Sequence, residues 1–76
     1  MKLRVRIDTM TDAARFVYII SRVTKPEEHV YLTNGDRLCI DARSFLGVIA
    51  AKEFGNLWCE SEKDIYTAIK DFEVVE

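Results

Sequence analysis

The chain begins with a strict alternation of apolar and charged side chains. Leu3, Val5 and Ile7 occupy every second position of the segment 2–7, and cations stand between them. A period of two places the apolar side chains on one face of a strand and the charged side chains on the other. The pattern therefore predicts a strand over residues 2–7, with one buried and one solvated face.

The period then changes to that of a helix. From about Thr11, apolar residues recur at helical spacing, at Ala13, Phe16, Val17, Ile20 and Val23. Residues spaced in this way form an apolar stripe along one side of an α-helix. We therefore predict a helix over 12–23, which Thr11 or Asp12 caps and Lys25-Pro26 ends.

A hairpin signal comes next in the chain. The runs HVYLT and DRLCI are rich in strand-forming residues, and they flank Asn34-Gly35. This dipeptide is the strongest short-range signal for a two-residue type I′ turn. Strands are therefore predicted near 29–33 and 36–40, and a fourth short strand is predicted near 56–60.

Two further helices are predicted in the second half. The apolar run after Ser44 predicts a helix near 44–53, with Ser44 as its N-cap. A last helix is predicted near 63–72, with Ser61 as its cap. Its apolar stripe consists of Ile65, Ala68, Ile69 and Phe72. The segment 73–76 is expected to continue this helix or to fray.

The element order is therefore β-α-β-β-α-β-α. Because the strands alternate between apolar and polar side chains, one face of the sheet should carry the helices and the other should meet water. The prediction is an α+β open-faced sandwich, in which a four-stranded antiparallel sheet has three helices on one face. No linker or repeat interrupts the pattern, so we expect a single domain over residues 1–76.

Composition and charge narrow the classes of function. The 76 residues are 49% hydrophobic and 32% charged, with a net charge of −2, as in an ordinary soluble globule. An acidic balance makes a nucleic-acid binder unlikely, although Tyr31 and Trp58 offer aromatic rings. No apolar run approaches the roughly 20 residues that span a bilayer. The alternating N-terminus is unlike a signal peptide, so a cytoplasmic protein without membrane partners is expected.

Few residues offer catalytic chemistry. Cys39 and Cys59 are too far apart for a redox CxxC motif or a zinc pair, and structural thiols are expected. The alternative is that the two thiols face each other on neighbouring strands and oxidise. His29, the only histidine, follows two glutamates and is expected at the surface. The residues therefore predict no enzyme, no metal site and no cofactor.

The element order and the segment Asp41-Ala42-Arg43-Ser44-Phe45-Leu46-Gly47-Val48 resemble the HPr phosphocarrier family of the sugar phosphotransferase system and its regulatory paralogues. The resemblance covers nearly the whole chain. The segment looks like the family's regulatory-serine motif, in which a basic residue, the serine and a short apolar helix follow a hairpin. The resemblance implies an HPr-like open-faced β-sandwich and a regulatory phosphorylation of Ser44 by a serine kinase.

The same comparison shows a departure at the first helix. Members of the family carry Gly-Leu-His-x-Arg-Pro-Ala before it, and the alignment of Ala13 with that alanine places Thr9 at the phosphohistidine position. Thr11 then stands at the arginine position and Asp12 at the proline position. Thr9 has no nucleophilic nitrogen, and Asp12 adds negative charge where a phosphate would bind. The phosphocarrier reaction is therefore expected to be lost.

The resemblance then implies a regulatory module that binds a protein partner of the phosphotransferase or catabolite-regulation type. The expected partner-binding residues are Thr9, Thr11, Asp12, Arg15, Phe45, Leu46 and Ile49. One alternative is a phosphocarrier with a different acceptor, such as Thr9, Thr11, Asp12 or His29. The other is a small ligand-binding or nucleic-acid-binding α+β domain.

Overall fold

A computed structural model of the chain describes residues 1–35 and 38–75. Within these ranges, four strands and three helices follow one another in the predicted order, and a turn of 3-10 helix ends the series. The elements are β1 (Lys2–Val5), α1 (Met10–Val23), β2 (Val30–Thr33), β3 (Cys39–Asp41), α2 (Phe45–Ala51), β4 (Leu57–Ser61), α3 (Tyr66–Ile69) and the 3-10 turn Lys70–Phe72. The predicted α+β class is confirmed.

The strands form one antiparallel sheet in the order β1-β4-β2-β3. Leu3 pairs with Cys59, which also pairs with Leu32, and Leu32 pairs with Ile40. Residues directly opposite each other in a ladder point to the same face of the sheet. These four side chains therefore form one row across the apolar face.

The helices cover this apolar face. Phe16 of α1, Val48 of α2 and Ile69 of α3 are fully buried, and they belong to the same apolar cluster as Leu32 and Cys59. A single cluster that joins one sheet face to all three helices is the core of an open-faced α+β sandwich. The sheet's other face carries the polar members of the alternating pattern.

The end of the chain differs from the prediction. The last helix is not one continuous helix from 63 to 72, because α3 is short and passes into the 3-10 turn. Ser61 does not cap it, since Ser61 is a buried residue of β4 and Ile65 precedes α3. After the 3-10 turn the chain becomes extended, and the backbone N–H of Val74 donates to the carbonyl oxygen of Arg4 at 3.0 Å. The tail therefore pairs with the outer edge of β1.

The connection between β2 and β3 also differs from the prediction. Thr33 pairs with Cys39, and residues 36 and 37 of the predicted strand lie outside the described residues. A type I′ turn needs positive φ at both central residues. Gly35 has a φ of +108°, whereas Asn34 is not among the described residues with positive φ. The predicted strand pairing is confirmed, but the turn type is wrong.

Candidate functional site

Side chains of neighbouring residues cap the start of α1. Thr9, and not Thr11 or Asp12, is the N-cap, so the helix begins earlier than predicted. Its hydroxyl oxygen accepts a hydrogen bond from the backbone N–H of Asp12 at 3.0 Å. In return, the Asp12 carboxylate accepts from the backbone N–H groups of Asp8 and Thr9 at 3.3 and 3.2 Å. This reciprocal pair is a capping box, with the acidic member supplied by Asp12.

The capping box lies at the position that the sequence alignment with the HPr family assigns to a phosphohistidine. The N–H groups of Thr9 and Asp12 already have acceptors on the protein and are not available to an anion. Negative charge from Asp8 and Asp12 further disfavours a phosphate at this helix start. Thr11 is exposed beside the cap. The capping box therefore gives Thr9 and Asp12 a structural role in this turn.

Arg15 lies on the side of α1 that faces the end of the chain. Its guanidinium carbon stands 5.4 Å from the centre of the Phe72 ring. A cavity of about 290 Å³ next to it has four carboxylates in its lining. The lining residues are Arg6, Asp8, Asp12, Arg15, Asp71, Phe72 and Glu73. Arg15 is therefore one of two arginines in the lining of a mainly acidic pocket.

Ser44 is the N-cap of α2, as predicted. Its side-chain oxygen accepts a hydrogen bond from the backbone N–H of Gly47 at 3.1 Å, and its backbone is extended. A residue with this conformation satisfies one of the free donors at a helix start. Ser44 is an exposed residue.

Arg43 fixes the start of α2 to the segment that follows α1. Its guanidinium donates to the carbonyl oxygens of Lys25 and Pro26 at 2.7 and 3.2 Å. It also lies 3.7 Å from a carboxylate oxygen of Asp41, and only 19% of its side chain is exposed. Arg43 is therefore a structural residue of this corner, held by two carbonyl groups and one carboxylate.

Large apolar side chains are exposed on and after α2. The exposed fractions are 40% for Phe45, 78% for Leu46 and 59% for Phe54, while Ile49 is half-buried. Positions three and four apart share one side of a helix, so Phe45, Leu46 and Ile49 lie together. We call Phe45, Leu46 and Ile49 the α2 surface. The expectation that at least two of the three predicted residues are exposed is confirmed.

The two groups of predicted partner-binding residues lie at different ends of the helical layer. Thr9 begins α1, whereas Ser44 follows Arg43, which binds the carbonyl groups just after the end of α1. The 14 residues of α1 separate these ends by about 21 Å. The end of α2 is the part that approaches the start of α1, because Lys52 and Asp8 line the same cavity.

Sequence reasoning did not include Phe54 among the site residues. It follows the helix and precedes Gly55, which has a φ of +66°. An aromatic residue at the end of an apolar run is ordinarily assigned to the core. Phe54 is exposed because the chain turns at this point. Only the neighbouring glycine indicates such a turn.

The open face of the sheet carries the remaining candidate residues. His29 is exposed, as expected, and its ring stacks on Tyr31 with 5.9 Å between ring centres. Lys2 lies over the Trp58 ring at 5.3 Å. Thr33 donates a hydrogen bond to the Glu60 carboxylate at 3.1 Å. Cations, carboxylates and aromatic rings are thus mixed on this face, which is unlike the basic surface of a nucleic-acid binder.

The two cysteines lie on opposite faces of the sheet. Cys59 is fully buried on the apolar face, whereas Cys39 is exposed on the edge strand and pairs with Thr33. Both thiols are free. The alternative that they face each other and oxidise is therefore wrong. Burial raises the pKa of the Cys59 thiol to about 12, so this thiol stays protonated near neutral pH.

Two further features concern metals and membranes. Among residues 1–35 and 38–75, no three His, Cys, Asp or Glu side chains come together in a group that could hold a metal ion. Over the same residues, no helix has both the length and the apolar character needed to cross a membrane.

Comparison of the chain with protein-family models, with curated proteins and with solved structures finds no match.

Proposed function

We propose that this chain is an HPr-like, non-catalytic regulatory protein of the phosphotransferase system. It acts in the cytoplasm by binding a protein partner of the phosphotransferase or catabolite-regulation type. The element order and the placement of three helices on one face of an antiparallel sheet support this proposal. So does the resemblance of the segment 41–48 to the family's regulatory-serine motif.

The observation that carries the proposal is the α2 surface. Leu46 is 78% exposed, and it stands beside Phe45 and Ile49 on a helix that directly follows the regulatory-serine position. Contiguous exposed apolar side chains of this size mark interaction sites on soluble proteins. A helix face of this kind fits an apolar groove or patch on a partner protein.

The start of α1 supports a binding role over phosphate transfer. Thr9 uses its hydroxyl as a capping acceptor, and Asp12 uses its carboxylate in return. A phosphoryl acceptor at this position would need a free nucleophile and a positive environment. Neither is present in the capping box, so the proposal assigns this turn to the framework of the domain.

The experiment that tests this function is an NMR titration of the labelled chain. The probes are the general phosphotransferase kinase and, separately, the catabolite-control repressor of the source organism. At least one probe should perturb the resonances of the α2 surface. Leu46→Ser should weaken that binding about tenfold or more, because the side chain would be an anchor of the interface.

The matched control is Val75→Ser, since Val75 is an aliphatic residue of similar exposure outside the α2 surface. It should leave the affinity unchanged. Incubation with phosphoenolpyruvate and the general kinase gives a second readout. Acid-labile phosphate on this chain, or binding that both variants weaken equally, would overturn the proposal.

A further inference from the structure

The solvent side of α2 carries no charged residue. The helix has the sequence FLGVIAA, and Leu46, Ile49 and Ala50, three and four positions apart, lie together on that side. Leu46 is 78% exposed, Ile49 is half-buried and Ala50 is exposed. The charged residues that follow the helix, Lys52 and Glu53, pair with each other at 2.8 Å. The helix therefore presents no like charge that would repel a second copy of itself.

The same side of α2 has a large residue and a small residue one turn apart. Leu46 carries a long aliphatic side chain, whereas Ala50 presents a single methyl group. When two copies of α2 pack antiparallel around a two-fold axis level with Val48, Leu46 of each copy faces Ala50 of the other. Large side chains that fill the space above small ones give close helix packing. In this orientation the helix face is complementary to itself, as a two-fold interface requires.

The antiparallel orientation is also favoured by the helix dipoles. The start of a helix carries a partial positive charge and its end a partial negative charge, so antiparallel neighbours bring opposite ends together. The seven residues of α2 span about 10 Å, so both ends lie within the contact. A contact centred on so short a helix buries less than the roughly 1,200 Å² of stable complexes. It therefore supports a weak dimer that depends on protein concentration.

We propose that α2 forms the interface of a weak homodimer, in which two antiparallel copies of the helix pack with Leu46 of each copy against Ala50 of the other. A second copy supplies both features that fit this face, a small residue opposite Leu46 and the absence of a repelling charge. The dimer covers the α2 surface, so dimerisation and partner binding exclude each other. As regulation of partner binding, this inference rests on the proposed function, whereas dimer formation itself needs no other protein.

The test is NMR of the labelled chain alone at concentrations between about 0.02 and 1 mM, the range in which small interfaces associate. Translational diffusion should slow as the concentration rises, and the accompanying resonance shifts should map to residues 44–53. Constant diffusion over this range, or shifts that map to another surface, would overturn the proposal. The result is separate from the partner titration, because a chain that binds a partner but stays monomeric refutes the dimer and leaves the proposed function intact.

Ala50→Leu makes the face more apolar, but it fills the space that Leu46 of the other copy occupies. It should weaken self-association about tenfold, whereas non-specific apolar association would become stronger. Leu46→Ala combined with Ala50→Leu exchanges the large and the small residue, so each leucine again faces an alanine and the dimer should be restored.

The matched control is Val75→Ser, which changes an exposed aliphatic residue outside α2 and should leave self-association unchanged. Leu46 and Ala50 are both exposed, so the fold should be kept, and thermal unfolding of each variant verifies this. Stronger association of the Ala50→Leu variant, or a double variant that stays as weak as Ala50→Leu, would overturn the proposal.

Discussion

Gly47 of α2 lies directly against Ile40 of β3. A Cβ atom built on Gly47 would stand 2.6 Å from the Cγ2 atom of Ile40, which is closer than two carbon atoms can pack. The absence of a side chain at position 47 therefore allows the helix to approach the edge strand. Glycine costs helix stability relative to alanine, so its place in the middle of a seven-residue helix has a packing reason.

We expect Gly47→Ala to destabilise the protein, although alanine is the better helix former. The helix propensity gain is about 1 kcal/mol, and overpacking against a β-branched side chain costs about 1–3 kcal/mol. The net loss should be about 1 kcal/mol, measured by urea unfolding. In an Ile40→Ala background the clash is removed, and the same substitution should then be neutral or stabilising. A stabilising effect in the unmodified background would show that α2 and β3 are further apart.

The sequence predicted the elements well because most of the periodicity is strong. The alternation at Leu3 and Val5 and the helical stripe that includes Phe16 and Ile20 both describe buried faces, and the structure buries them as predicted. The prediction that Ser61 is a helix cap was wrong. Serine is a common cap residue, but the pairing of Ser61 with Val30 makes it a strand residue. Pairing between distant segments cannot be read from a local pattern.

The candidate site was predictable only in part. Exposure of Leu46 follows from a helix that has more apolar residues than one face can bury, and this excess is visible in the sequence. The role of Arg43 was not visible, because its acceptors are the carbonyl groups of Lys25 and Pro26, distant in sequence.

Two threonines at the start of α1 allow a matched comparison, because Thr9 belongs to the capping box and Thr11 does not. Thr9→Ala removes the acceptor of the Asp12 N–H and should cost about 0.5–2 kcal/mol of unfolding free energy. Thr11→Ala changes an exposed residue in the first turn and should be nearly neutral. Equilibrium unfolding in urea measures both. If Thr11→Ala is the more damaging change, the helix begins where the sequence predicted, and not at Met10.

The buried thiol of Cys59 predicts a loss of stability at alkaline pH. Its pKa rises from an ordinary value of 9.0 to about 12 in the folded protein because burial disfavours the thiolate. Between these two values the unfolded state releases a proton that the folded state keeps, so the unfolding free energy falls as the pH rises. The slope from this group approaches about 1.4 kcal/mol per pH unit.

Urea unfolding at a series of pH values from 8 to about 11 measures this slope. Other groups also titrate in this range, so two variants serve as references. Cys59→Ala should remove the thiol's share of the slope, whereas Cys39→Ala should keep it because the exposed cysteine is on the other face of the sheet. Equal slopes for the two variants would contradict the assignment to Cys59.

The cap of α2 is tested by substitutions at Ser44. Ser44→Ala leaves the N–H of Gly47 without its acceptor and should cost about 0.5–2 kcal/mol. Ser44→Asp supplies a carboxylate that caps equally well, so it should retain most of the stability. Thermal unfolding compares the two variants. An alanine variant as stable as the original chain would mean that water satisfies the start of α2.

The last prediction is that Ser44 is a phosphorylation site. Ser44 is an exposed residue, and the resemblance to the regulatory-serine motif supports modification by a serine kinase of that family. A phosphate there adds a charge of about −1.5 to −2 at the start of a helix, where the dipole favours negative charge, so the fold should be kept. Partner binding should change, because the new charge stands beside Phe45 and Leu46.

The chain is treated with the kinase and ATP, and the modified residue is mapped by mass spectrometry. Ser44→Ala is the control, and an authentic phosphocarrier in the same tube shows that the kinase is active. If that carrier is labelled while Ser44 is not, the serine serves only as a cap.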